Sequence, residues 1–393
     1  MLHLSTAPLW AIVNAFAALG AVAGVLVTRQ PEVFRLWALT RSDWGWVLFA
    51  AGLGGVLAYP VNRWVLAHWG SRRMLFRFGT AGGFLLALVP WLPALPGLLA
   101  GTFLQGAIYS GVGVAINHQA SELELRQGLR VMGRLHATFF VGGVLSALLS
   151  SLCGALGVSL AIHMAGVGLL VAWLHRSAAV SLDSAFACAA AAVPEPPHGI
   201  GEGRGLGLLF GWCMVLEGGV MGWASVYLNQ GLKASEGLSG IGLAVFSGAM
   251  AIGRLLSDGL VARYGAARLV RSGAAVCALA LVSAAALHRL PVALVAFAAT
   301  GLGLAAAAPT IFSAAGRRSG DAVAFVAGMG AIGGLLGPLV LGRIASGLSL
   351  DWVLAALAAV ALVITWRADA LAERGSVPGG CPPRPMGSTH ESA

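Results

Sequence analysis

Charged residues are what this chain has least of. They make up 10% of its 393 residues, against 58% apolar ones, whereas an ordinary water-soluble domain carries about 25% charged residues. That deficit excludes a protein folded in water alone. Lysine is almost missing: of 24 basic residues only Lys233 is a lysine, and the net charge of +9 rests on arginines. They stand in short clusters between apolar runs, which fits membrane topology and argues against a nucleic-acid partner. The five cysteines (Cys153, Cys188, Cys213, Cys277, Cys381) lie far apart without a CxxC pair, so neither a disulfide scaffold nor a cysteine metal site is expected. No cofactor is expected either. The run Gly328-x-Gly330-x-x-Gly333 has no strand before it and reads as close helix packing, not as a dinucleotide loop.

What is present in place of charge is apolar length. Neither 78–121 nor 135–175 holds an Asp, Glu, Lys or Arg, and each stretch suffices for two bilayer spans of about 20 residues. Cutting the chain at Pro, Gly and charge clusters predicts twelve transmembrane helices, so the fold class is an all-α membrane protein. They run over 7–27, 44–62, 74–92, 97–117, 132–153, 157–175, 206–228, 238–260, 269–288, 291–312, 321–342 and 349–367. The first lacks a basic leader and is too long for the core of a signal peptide, so it reads as a retained helix. The expected division is a six-helix bundle over 1–176, a cytoplasmic linker over 177–205 containing Pro194, Pro196 and Pro197, a second bundle over 206–368, and a disordered tail over 369–393.

Basic residues orient the array. One set of loops, with the linker and tail, holds Arg63, Arg72, Arg73, Arg77, Arg126, Arg130, Arg134, Arg176, Arg204, Arg263, Arg268, Arg271, Arg317, Arg318, Arg367, Arg374 and Arg384. The other holds only Arg29, Arg35, Arg41, Lys233, Arg289 and Arg343. Both termini are therefore expected in the cytoplasm. The halves also repeat each other: Arg63…His68-Trp69-Gly70-x-x-Arg73 after the second helix aligns with Asp258…Arg263-Tyr264-Gly265-x-x-Arg268 after the eighth. Six helices repeated once is an architecture used by transporters.

Gly253-Arg254-x-x-x-Asp258-x-x-x-x-Arg263-Tyr264-Gly265-x-x-Arg268 resembles the cytoplasmic loop signature of the major facilitator superfamily, and the copy around Gly70 is a degenerate version of it. Within the superfamily the chain is similar to a YbjJ-type bacterial branch over Val112–Ala120, Met132–Phe140, Leu216–Leu228 and Phe312–Arg317. The resemblance implies two pseudo-symmetric bundles that move a small organic solute across a bacterial inner membrane by alternating access. It implies no enzymatic step, a solute and membrane lipid as partners, a monomer, and proton symport as one mode of coupling. Relatives commonly carry Asp where this chain has Gly113 and Gly222, which leaves the coupling ion open. A sensor or partner subunit without coupled transport is the alternative those glycines suggest, and an intramembrane enzyme is a weaker one.

In the loop signature, Arg63, Gly70, Arg73, Arg254, Asp258, Arg263, Gly265 and Arg268 are expected to form a conformational clasp in which Asp258 pairs with arginines, Arg254 among them at i,i+4. A solvated basic loop is the plainer alternative. Glu217 is the one carboxylate well inside a span, where a charge costs about 2.5–3.5 kcal/mol on the insertion scale and demands a cavity, a partner or a proton. It is the first candidate for binding solute or a coupling proton; the alternative is a protonated, structural Glu. Tyr109, Gly113 and Asn117 share a face of the fourth helix with Gln119 nearby, as contacts either for solute or between helices. Asn14 occupies a place analogous to Glu217. His136 suits a proton relay or helix packing, and Trp223 with Tyr227 a gate over the cavity or an interfacial belt.

Overall fold

The computed structural model describes residues 7–127, 131–182, 200–318 and 320–372. Within these ranges every regular element is a helix. The first half contains α1 (Ala7–Thr28), α2 (Gln30–Trp37), α3 (Arg41–Leu88), α4 (Ala94–Gln127), α5 (Met132–Ala155) and α6 (Leu160–Ser181). The second contains α7 (Ile200–Val226), α8 (Glu236–Ser239), α9 (Ile241–Tyr264), α10 (Ala266–Leu287), α11 (Leu290–Leu304), α12 (Ala307–Gly316), α13 (Gly320–Gly347) and α14 (Leu350–Arg367). Eleven described stretches are long and apolar enough to cross a bilayer. One of them, Arg41–Trp91, has 51 residues, about 77 Å of helix against a hydrocarbon core of about 30 Å. Gly70 breaks it with φ 72° and ψ 159°. The crossings therefore number twelve.

Local chemistry sets the ends. Thr40 opens α3 with a reciprocal cap: its hydroxyl accepts from the Asp43 N–H, while the Asp43 carboxylate accepts from the Thr40 N–H at 2.8 Å. Ser159 caps α6 by accepting from the Ile162 N–H. Pro31 and Pro291 stand in the first turns of α2 and α11, where a missing N–H costs nothing. The tenth span is divided into α11 and α12 at Ala305–Ala306 because Pro309 has no N–H to offer the Ala305 carbonyl.

Three features differ from the sequence expectation. The short helices α2 and α8 occupy connections that the sequence leaves without a helix, apart from Leu238 and Ser239, which it assigns to the eighth span. The linker expected over 177–205 is narrower, since α6 continues through Arg176 to Ser181 and α7 starts at Ile200; residues 176–181 contain no Pro or Gly to stop a helix. The remaining linker at 183–199, the tail from 373 with Arg374 and Arg384, and Arg130 lie outside the described residues.

Helices approach one another through glycine, as the lack of a hydrophobic drive between spans requires. A side chain on Gly106 of α4 would collide with the Ala51 carbonyl of α3, and one on Gly301 of α11 with the Phe246 carbonyl of α9. These pairs are related by the 195-residue offset that also relates Gly70 to Gly265, so the internal repeat extends from the loops into the packing. Within the first half α1 packs on α5 and α6, and α3 on α4 and α6; within the second α7 packs on α13 and α14, and α10 on α11 and α14. The halves meet along α3–α13 and α5–α9.

Candidate functional site

The α5–α9 seam brings charge into the middle of the molecule. Arg254, on α9, turns its guanidinium toward α7, where Nη2 lies 3.9 Å from Oε2 of Glu217. Phe140 of α5 covers the guanidinium, with Cζ 5.0 Å from the ring centroid, a cation–π distance. His136 lies one turn before Phe140, and its ring stands edge-on to Phe16 of α1 at 5.1 Å. Four helices from both halves therefore contribute to one cluster. The Glu217 and Arg254 side chains are 17% and 12% exposed, so each touches open space while most of it is out of water.

At 3.9 Å the pair is electrostatic without being hydrogen-bonded, since N–H···O bonds fall at about 2.7–3.2 Å. Removing one partner from a desolvated pair costs about 3–5 kcal/mol because it strands the other charge. Neither side chain is thus dispensable to the other. Arg254 Nε is buried without an acceptor among the described residues, so the guanidinium has donor capacity that Glu217 does not use. The arrangement can hold a proton on the carboxyl and an acceptor on the guanidinium.

Arg254 is the residue whose role the sequence misplaced. Spacing of four from Asp258 suggested an ion pair within the clasp, but Asp258 is exposed and the ion pair that Arg254 makes among the described residues is with Glu217. A cation inside an apolar segment with a lone carboxylate in another was the available signal.

The other expected site residues divide. Asn117 donates to its own helix at the Gly113 carbonyl, 2.8 Å away, and Gly113 has open space where a side chain would stand. Asn14 is exposed on α1. Tyr109 is buried against Gly82 of α3 and His175 of α6, and Gln119 donates to Ser71 Oγ at 2.7 Å, so both lie inside the first half. Trp223 is buried; Tyr227 is buried too and donates to the Ala284 carbonyl of α10 at 3.0 Å. Tyr109, Gln119 and Tyr227 thus make their contacts within their own halves, and the Trp223 indole N–H is buried without an acceptor among the described residues.

Around the loops, Gly70 and Gly265 adopt the same positive-φ conformation, 72° and 80°, which strongly favours glycine. Arg73, Arg263 and Arg268 are exposed, Arg63 is half-buried, and Arg263 lies over its neighbour Tyr264.

The described contacts between halves run from mid-helix to the end opposite these loops. Trp44 of α3 donates to the Gly222 carbonyl at 3.0 Å, and a Cβ on Gly222 would lie 2.7 Å from Leu48 Cδ1. Arg41 donates to Gln230 Oε1 at 3.0 Å and to the Ala345 carbonyl at 3.2 Å. Arg35 of α2 pairs with Glu236 of α8. A cavity of about 400 Å³ lies beside that pair and is lined also by Arg29 and Glu32. Its charges are paired internally: Arg29 Nε lies 2.7 Å from Glu32 Oε1 in an ion pair, and Nη2 donates to the Val158 carbonyl at 2.7 Å.

Known proteins resemble this chain in sequence and in fold. A transporter of Sinorhizobium fredii, y4wD, is 27% identical over 350 residues, which are 83% of this chain and 88% of the relative. An MFS-type transporter of Yersinia pestis is 29% identical over 347 residues, 85% and 88% of the two chains. The membrane protein MosC of Rhizobium meliloti is 25% identical over 359 residues, 88% and 85%. The fold is that of the crystallised nucleoside transporter NupG, with a TM-score of 0.75 at 13% identity over 94% of this chain and 100% of that one. A bacterial homologue of the lysosomal transporter Spinster superposes with a TM-score of 0.71 at 13% identity, over 92% and 95%. The sequence model of the Major Facilitator Superfamily matches residues 4–320, and with twelve crossings in two repeated halves around a polar centre, this chain belongs to that superfamily and is a multi-pass membrane transporter.

Proposed function

We propose that this transporter couples the movement of a small organic solute to protons through Glu217, in a bacterial inner membrane with both termini in the cytoplasm. The observation that supports it is the placement of the one deep carboxylate opposite Arg254, in the seam where the halves meet. A site shared by both halves is reset whenever they rock, which is what alternating access requires. The basic Gly70 and Gly265 loops belong on the cytoplasmic side by the positive-inside rule. On that orientation the contacts at Trp44, Arg41 and Arg35 close the periplasmic end, and the conformation faces inward.

The glycine at 222, which suggested a chain without coupling, has a packing reason: it lets Leu48 and Trp44 seat against α7. That removes one motive for an uncoupled sensor. In vesicles holding the purified chain, Glu217→Gln is expected to abolish pH-gradient-driven accumulation while counterflow and membrane insertion persist. Accumulation at the wild-type level by the variant would refute the coupling role.

A further inference from the structure

We propose that the transported solute is a small organic acid whose carboxylate seats on Arg254, and that each one travels with a single proton held by Glu217. The inference rests on the reading of this cluster as the solute and proton site. Among the described residues Arg254 is the only lysine or arginine in the middle of a span, and it meets its partner loosely, at 3.9 Å. A guanidinium carries five N–H donors in a planar fork that matches a carboxylate. Here Phe140 covers one face of that fork, and Nε lacks an acceptor among the described residues. What the site offers is therefore donor capacity that Glu217 leaves unused, with 12% of the side chain open and Nε itself shut from solvent.

Charge balance then fixes what accompanies the acid. The resting pair is neutral. A carboxylate arriving at Arg254 would stand beside the Glu217 carboxylate, two like charges out of water. Balance returns when one proton from the side to which the site is open forms an O–H bond on Glu217; no bond of the solute breaks. Arg254 is then paired with the solute, Glu217 is neutral, and the loaded site has the same net charge as the empty one. Few other groups can take the proton. On α7 itself Cys213 lies one turn before Glu217, and from α9 only Arg254 faces it. From α5, His136 lies within electrostatic reach of Arg254. Helices α1, α11 and α12 contain no ionisable side chain, and α13 and α14 carry theirs, Asp321, Arg343, Asp351 and Arg367, near their ends.

The test uses the full purified chain in detergent and lactate, glycerate, gluconate and benzoate, each against its neutral amide, with binding read by thermal stabilisation and equilibrium dialysis. At least one acid is expected to bind at pH 6 while its amide does not, with affinity falling by up to about ten-fold per pH unit above that, the slope of one linked proton. Glu217→Gln is expected to keep acid binding and lose the pH dependence. Arg254→Gln is expected to lose binding, and Arg254→Lys, which retains the charge, to keep selectivity for the acid at reduced affinity. Equal binding of acid and amide, binding of none of the acids, or a pH slope that survives Glu217→Gln would overturn the proposal. Counterflow in vesicles separates it from the reading beneath it. Flux of neutral solutes that is unaltered in Arg254→Gln removes the acid and leaves proton coupling through Glu217 standing, whereas a Glu217→Gln variant that still accumulates solute removes both the coupling and the proton assigned here to Glu217.

Discussion

Tyr227 shows how little residue type and depth say about role in a span. An aromatic near the end of the seventh crossing suits a gate, but its hydroxyl donates to the Ala284 carbonyl. Tyr227→Phe is therefore expected to cost about 0.5–1.5 kcal/mol of stability, seen as a lower melting temperature in detergent, with the KM of counterflow unchanged. A shifted KM would return Tyr227 to the solute path. The same logic separates Gln119, which is tied to Ser71, from Asn117, whose amide folds back on its own helix beside the open Gly113. For these polar residues the sequence supplied helix and depth. The direction each side chain faces depends on helix rotation, which a nearly uniform apolar surface does not encode.

At the scale of elements, glycines decide how helices meet and turn. Gly265 joins α9 to α10 at φ 80° and ψ 147°, a region occupied essentially by glycine that costs about 1–3 kcal/mol for a residue with a Cβ. Gly265→Ala is expected to lower stability by that amount in thermal or denaturant unfolding, and Gly70→Ala to match it, since the two loops have the same geometry. Gly222 acts between halves. Gly222→Val is expected to hold α7 off α3 at the end away from the Gly70 and Gly265 loops, lengthening the distance between spin labels at Leu36 and Leu238, both exposed. Trimming the opposing side chain in a Leu48→Ala background should restore the shorter distance. No lengthening in the single variant would show that this contact does not limit closure. The twelve crossings were legible in the sequence because each apolar run must satisfy its own backbone in lipid. The helices α2 and α8 were not, since each is too short and polar to be distinguished from a loop.

For the whole molecule, the closed end is held by many modest contacts. The Arg35–Glu236 pair is largely exposed, and exposed pairs contribute about 0.2–1 kcal/mol. Glu236→Ala is thus expected to raise the population open at that end by no more than about five-fold, measured by the same spin-label distance, and the effect should shrink in high salt. A complete loss of the closed state would mean that this pair alone holds the end. Trp44 on Gly222, which is buried, and Arg41 on Gln230 and Ala345, which are part-buried, are screened much less. They carry the remainder.

The sequence by itself determined that this chain crosses a bilayer, how many times, with which internal repeat, and that a single carboxylate lies deep. Those properties follow from where charge is tolerable and where a backbone must satisfy itself in lipid. Only the tertiary structure decided what Arg254 does. Spacing of four along α9 places Asp258 in reach, and nothing along the chain ranks it below Glu217. In the folded molecule Asp258 stands one turn nearer the Gly265 loop and is exposed, while Arg254 sits at the seam beside Phe140 and opposite Glu217. An exposed carboxylate has water for a partner; one shut between helices does not, and the guanidinium lies where the unpaired charge would cost most.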